Sequence, residues 1–155
     1  MRQVLALGLR AGLALLLVGC VGRTHSPPGD TAPRPRSLEN TYWRLTEVRG
    51  GPAVAADSAR EAHLRFVADS GGGARVAGST GCNRLNGSYT RDGAALRFGP
   101  AATTRMACID PAIGAQEAAL LATLAATTRH AIVGDVLTLS AGERPLARFT
   151  AATTR

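Results

Sequence analysis

The side chains whose types could do chemistry in the body of this sequence are Cys82, Cys108, His63, His130 and Glu117. A thiol nucleophile needs a base within hydrogen-bond reach, and beyond His25 only His63 and His130 could supply one. A zinc site is poorer still, because no Cys-x-x-Cys or His-x-x-x-His occurs and two thiols alone do not complete a tetrahedral set. Hydrolysis by paired carboxylates requires two converging acids. The neighbours of Glu117 at helical spacing are instead Ile113, Leu120, Leu121 and Leu124. The chain contains no lysine, which removes Schiff-base chemistry, a Ser-Lys dyad and the phosphate-loop amine together. Ser70-Gly71-Gly72-Gly73 therefore reads as a turn or loop, not a nucleotide cradle. We assign no catalytic residue, no metal ligand and no cofactor.

The charge is strongly basic, 18 Lys+Arg against 11 Asp+Glu in 155 residues, and all the positive charge is arginine. The arginines are scattered along the chain without a basic run. With aromatics at only 4% of residues there is no basic-aromatic cluster, so nucleic acid is not an expected partner.

Met1 to Cys20 carries Arg2 and Arg10 ahead of Leu13-Ala14-Leu15-Leu16-Leu17-Val18 and then Gly19-Cys20, the pattern of a secretory leader over 1–19. The apolar run is shorter than the roughly 20 residues a bilayer span needs. Leu17-Val18-Gly19-Cys20 resembles the bacterial lipobox, in which the cysteine takes lipid and becomes the first mature residue. Val21 and Gly22 lack the aspartate that holds such proteins at the inner membrane, so the resemblance implies an outer-membrane anchor with the domain facing the periplasm. Three cysteines is an odd number for an exported chain; if Cys20 takes lipid, Cys82 and Cys108 remain to pair in an oxidising compartment. Residues 20–37, with Pro27-Pro28 and Pro33-Arg34-Pro35, read as a semi-extended linker.

The elements that must position the cysteines follow from patterning. Thr41 to Val48 alternates, with Trp43 and Leu45 on one face, and Ala62 to Val67 repeats the pattern with Leu64 and Phe66 inward. Arg75 to Ser79, Ser88 to Thr90 and Ala95 to Phe98 read as short strands, with Asp92-Gly93 turning between the last two. One helix is expected, capped by Asp110, with Pro111 in its first turn and an apolar stripe of Ile113, Leu120, Leu121 and Leu124. Three strands follow, near His130 to Val133, Val136 to Ser140 and Leu146 to Thr150. The pentapeptide Ala-Ala-Thr-Thr-Arg recurs at Ala101, Ala125 and Ala151, but its unequal intervals and different contexts do not make a solenoid. The expected fold is α+β: a strongly curved antiparallel sheet, or partial barrel, of about seven or eight short strands with one α-helix packed on it.

Gly78 to Gly87 has the composition of a tight inter-strand loop, and Thr103 to Cys108 is its partner. Together they form an expected hub of Asn83, Arg84, Asn86, Thr104, Arg105 and Met106, joined by Glu117. Glu117 falls inside the apolar helix stripe, and a buried carboxylate must be paired or neutral. Its donors are expected among the Arg84 and Asn83 side chains, Thr104, or the backbone amides of 104–108. The competing readings are a side chain that snorkels to solvent and a catalytic acid, which would need a second acid or a nucleophile beside it.

Trp43-x-Leu45, Gly78-x-x-Gly81-Cys82-Asn83-Arg84-x-x-Gly87-x-Tyr89, Thr104-x-Met106-Ala107-Cys108, Glu117, Leu124 and Gly134-x-x-Leu137-x-Leu139, in that order, resemble the META domain, also called HslJ-like. The resemblance covers residues 38–150, with 151–155 as a tail. It implies an exported or lipid-anchored bacterial envelope domain without established catalysis, linked to envelope stress and antibiotic tolerance. The chain departs from the pattern at His130-Ala131, where an aromatic is common, and at Leu120, where Phe is common. Two functions stay open. One is a non-catalytic envelope module, held on the membrane by its N-terminal lipid, that binds a protein or envelope component through the loop around Asn83, Arg84 and Asn86. The other is a binder of lipid, acyl chain or amphipathic segment in the interior of the curved sheet, by analogy with pilot lipoproteins.

Overall fold

The computed structural model describes residues 36–54, 60–68 and 73–152. The leader, Cys20 and the linker up to residue 35 lie outside the described residues, as do most of the glycine turn and the last three residues. Among the described residues ten strands and one helix follow in the order β1 (Tyr42–Val48), β2 (Gly51–Pro52), β3 (His63–Ala68), β4 (Ala74–Ser79), β5 (Arg84–Asp92), β6 (Ala95–Phe98), β7 (Ala102–Thr103), α1 (Pro111–Ala126), β8 (Arg129–Val133), β9 (Val136–Ala141) and β10 (Arg144–Ala152). Eight of them close a ring in the order β1-β3-β4-β5-β6-β8-β9-β10, because β10 pairs back onto β1 from Tyr42 opposite Ala152 to Val48 opposite Ala147. The sheet is thus a closed antiparallel barrel, a further turn of the curvature expected from the sequence. β2 and β7 are short additions beside β1 and β5.

Two-residue alternation explains which side chains fill it. Trp43, Leu45, Leu64, Phe66, Val76, Leu85, Leu96, Leu137, Leu139 and Phe149 are all inward and essentially inaccessible. Strict alternation would turn Glu47 into this core. A bulge between Leu45 and Glu47 shifts the register, so that Val48 is buried and Glu47 meets Arg148 at 3.5 Å on the outside. Closure needs the strands to approach closely at β4. Gly78 lies inward between Leu64 and Leu85, and a Cβ built there would stand 2.0 Å from the His63 carbonyl oxygen.

Several bounds differ from those expected. β5 begins at Arg84, four residues before Ser88, so the loop between β4 and β5 is only Thr80 to Asn83. Ala151 and Ala152 belong to β10, where they pair with Trp43 and Tyr42, and are not part of a tail. Residues 36–40 lie against the barrel: Leu38 is buried, its carbonyl accepts from Trp43 Nε1 at 2.9 Å, and the Asn40 amide donates to Phe66 O.

Helix α1 starts as its sequence predicts, with the Asp110 carboxylate accepting from the Ala112 amide at 2.8 Å and Pro111 in the first turn. Its buried residues are Gln116, Leu120, Thr123 and Leu124. Setting Ile113 at zero and advancing about 100° per residue, these four span roughly 280° to 20°. The stripe is rotated from the expected one, leaving Leu121 half-buried outside it, while Ile113, within the span but in the first turn, is half-buried as well. The cause is that Gln116 and Thr123 enter the contact, one through hydrogen bonds and the other beneath the Thr127 cap, whose hydroxyl donates to Thr123 O. At the two positions that depart from the family pattern, Leu120 is fully buried and His130 is half-buried with Nδ1 unpartnered among the described residues.

Gly78→Ala is expected to lower the free energy of unfolding in urea by about 3 kcal/mol or more, since the β3–β4 pair must part. Gly93→Ala, at a hairpin turn with φ +53° and open space around it, is expected to cost only about 1–2 kcal/mol. A second test uses pH. The Tyr89 hydroxyl donates to Glu39 Oε1 at 3.1 Å, and burial together with the Glu39 carboxylate pushes the phenol up to about 12. Tyr42, which donates to Glu61 Oε1 at 2.8 Å, is raised too, by burial first and then by Glu61. Unfolded phenols ionise near about 10, so this contribution is whole below that pH and is lost as the pH rises through the folded values. The unfolding midpoint should therefore fall above about pH 10, and Tyr89→Phe should blunt that fall.

Candidate functional site

The hub is built around one amide side chain. Asn83 ends the β4–β5 turn, is 2% exposed, and uses both ends of its amide. Its Oδ1 accepts from Thr104 Oγ1 and from the Met106 amide, each at 2.8 Å. Its Nδ2 donates to the Glu117 carboxylate at 2.9 and 3.1 Å and approaches Met106 O at 3.3 Å. One buried side chain thus joins the turn, the strap of residues 104–110 and helix α1. The turn itself is closed by Thr80, whose hydroxyl accepts from the Asn83 amide at 2.9 Å and donates to Glu117 Oε2. Gly81 takes φ +97°, and Gln116 braces the far side, accepting from the Val54 amide at 2.7 Å and donating to Thr80 O at 3.2 Å.

Cys82 and Cys108 form a disulfide with Cα atoms 5.7 Å apart, which ties the turn covalently to the strap. Closing its 26-residue separation in the unfolded chain is worth roughly 3–4 kcal/mol in the chain-entropy picture. The two sulfurs and a Glu117 oxygen lie within 4.8 Å of one another, a cation-sized arrangement. Both sulfurs are spent on the bond and the carboxylate on Asn83 and Thr80, so this set offers no free ligand in the oxidised form.

Of the expected hub, the structure brings together Asn83, Thr104, Met106 and Glu117. Arg84 is not a donor to Glu117. Leu85 is the inward residue of β5, so Arg84 points to the outer face, and it joins the hub only by backbone: its amide donates to Thr104 Oγ1 at 3.0 Å and its carbonyl accepts from the Thr104 amide at 3.1 Å. Asn86 is outward by the same parity, and Arg105 is exposed on the strap. Glu117 is held inward, so the snorkelling alternative is set aside. Thr80 and Gln116 were missed by sequence reasoning. The signal for Thr80 lay in its place at the start of a four-residue turn, and that for Gln116 in its spacing of four and eight from Leu120 and Leu124.

Beside the hub is an open groove of about 850 Å³. Its floor is Ala77 and Ser79 of β4, flanked by His63 and Arg65 of β3 and by Arg84 of β5, and the strap and first helix turn line it with Met106, Ile109, Ile113 and the disulfide. His63 is half-buried, its ring stacked on Tyr42 at 4.4 Å. Met106 is 61% and Ile109 95% exposed.

The META domain model matches residues 36–153. The chain belongs to the META domain family. A solution NMR structure of a protein from Burkholderia xenovorans is 28% identical, with a TM-score of 0.61 over 84% of this chain and 98% of that one. A second NMR structure, 23% identical with a TM-score of 0.56 over 73% of this chain and 91% of that one, shares the fold. No curated protein matches the sequence. Neither the family description nor the similar structures of this META domain carries a sign of catalysis.

Glu117→Leu should strand the Asn83 amide and Thr80 hydroxyl and lower stability in urea by about 1–3 kcal/mol, while Glu117→Gln, which keeps an acceptor, should cost less. Equal stability of Glu117→Leu and wild type would show that the carboxylate does not hold the hub together.

Proposed function

We propose that this META domain is a lipid-anchored, non-catalytic envelope module that binds a protein or envelope component through the groove beside the disulfide, and that it contributes in this way to outer-membrane integrity or stress and antibiotic tolerance. The observation that carries the binding half is the hub itself. A buried amide, a carboxylate and a disulfide are spent on a strap whose apolar side chains, Met106 and Ile109, face solvent. Such pre-organisation reduces the ordering cost of association and has no evident use in packing the core. The non-catalytic half is supported by the engagement of both sulfurs in the disulfide and of the Glu117 carboxylate by Asn83 and Thr80. The anchor rests on Leu17-Val18-Gly19-Cys20. The alternative, a ligand held inside the sheet, is disfavoured by the side chains that occupy the interior, Trp43, Phe66 and Phe149 among them.

Cys20→Ala is expected to shift the protein from the membrane to the soluble fraction or to stall its processing; unchanged, detergent-dependent fractionation would overturn the anchor. For binding, the full lipidated chain used as bait on crosslinked envelopes should capture a discrete component. Asn83→Ala, which unpins the strap, should lose that component.

A further inference from the structure

The groove is chemically two-sided, which narrows what it can hold. Along one side Met106 and Ile109 of the strap and Ile113 of the first helix turn, with the disulfide, form the apolar ridge of the groove. Across the floor the sheet presents arginine. Strand register places Ser79 between His63 and Arg84, and Ala77 between Arg65 and Asn86, so small residues of β4 keep the floor low while long cations rise on the flanking strands. At about 4.8 Å per strand the Arg65 and Arg84 backbones stand about 10 Å apart laterally, with the floor between them. Neither arginine has an ion-pair partner among the described residues, whereas Arg36, Arg91 and Arg148 all do. Arg60 also lines the groove, and the one acid there, Asp110, has its carboxylate turned to the helix cap.

A ligand complementary to this surface has one anionic end and one apolar stretch. An extended acidic peptide fits less well, because peptides that lie on sheets draw their affinity from an open edge. β3, β4 and β5 are each paired on both sides, so a peptide backbone would meet none there. A hydrocarbon chain brings no backbone polar groups to satisfy. The groove volume of about 850 Å³ lies in the range of small-molecule sites, roughly 300–1,000 Å³.

Resting on the reading of this groove as the binding site, we infer that its ligand is a single-chain anionic amphiphile. Its phosphate or carboxylate head sits between Arg65 and Arg84, and its acyl chain lies on the Met106–Ile109–Ile113 ridge. Arginine suits this role because its planar fork meets an oxyanion with two parallel donors. Methionine on the ridge adapts its shape to a flexible chain.

The test uses the full chain secreted with Cys20→Ser, so that no lipid of its own competes, and dodecyl phosphate below its micellar concentration. Titration calorimetry and the NMR signal of the Met106 methyl should report saturable one-to-one binding. Dodecyl maltoside, which keeps the tail, and inorganic phosphate, which keeps the charge, should each bind at least tenfold more weakly. Arg84→Gln and Ile109→Ser, both at exposed positions, should each weaken dodecyl phosphate at least tenfold while leaving the disulfide and the unfolding midpoint unchanged. Equal binding of the maltoside, indifference to either substitution, or binding only to phosphatidylglycerol vesicles with none of the monomeric probe would overturn the inference. So would tighter binding of an acidic, leucine-bearing peptide. If dodecyl phosphate fails while the envelope bait still captures its component, the amphiphile falls and the envelope-binding reading stands; if both fail, both fall.

Discussion

The architecture around the groove depends on the burial of the Asn83 amide. A carboxamide in that position must find partners for two donors and an acceptor in a place water does not reach, and unmade bonds there cost about 1–3 kcal/mol apiece. Those partners come from Thr104, Met106 and Glu117. Aspartate would lose the donor to Glu117 and set two carboxylates against each other, and leucine would strand every group around it. The identity of this one residue therefore couples three segments distant in sequence. Thr80 and Gln116 extend the same logic outward, each closing a polar group that the turn would otherwise leave bare.

The disulfide and the amide serve the same end by different physics. The covalent bond acts mainly on the unfolded chain, shrinking the ensemble that folding must order. The hydrogen bonds act on the folded state and select one conformation of the strap. With both present the strap can expose a methionine and an isoleucine without collapsing onto the barrel, because its backbone amide and carbonyl at Met106 are already engaged.

The fold was largely legible in the sequence, since the alternation at Trp43-x-Leu45, Leu64-x-Phe66 and Leu137-x-Leu139 assigns inward faces without any knowledge of partners. What could not be read was closure, because pairing of β1 with β10 leaves no local trace and depends on accumulated twist and on the Glu47 bulge. At the site, Cys82, Cys108, Asn83, Thr104, Met106 and Glu117 were legible from residue type, and the disulfide from the count of cysteines. Arg84 was misplaced because a long cation next to a buried acid looks like its partner until strand parity turns it away. The pentapeptide Ala-Ala-Thr-Thr-Arg shows the limit of local reading. At 101–105 it forms β7 and supplies the hub hydroxyl, at 125–129 it ends the helix and opens β8, and at 151 its alanines finish β10. Identical residues took three structures because their long-range neighbours differ.

The seam between β1 and β10 also sets a timetable for the chain. As the polypeptide emerges from its N-terminal end, β1 can pair with β3 at once, but its other edge has no mate until the final nine-residue strand has been made. During that interval Tyr42 to Val48 presents unpaired amides and carbonyls beside a half-built core, the condition under which strands recruit the wrong neighbours. Within the barrel the strand made last is the one that closes the seam, joining the two ends of the domain in a long-range pairing of the kind that is intrinsically slow to form.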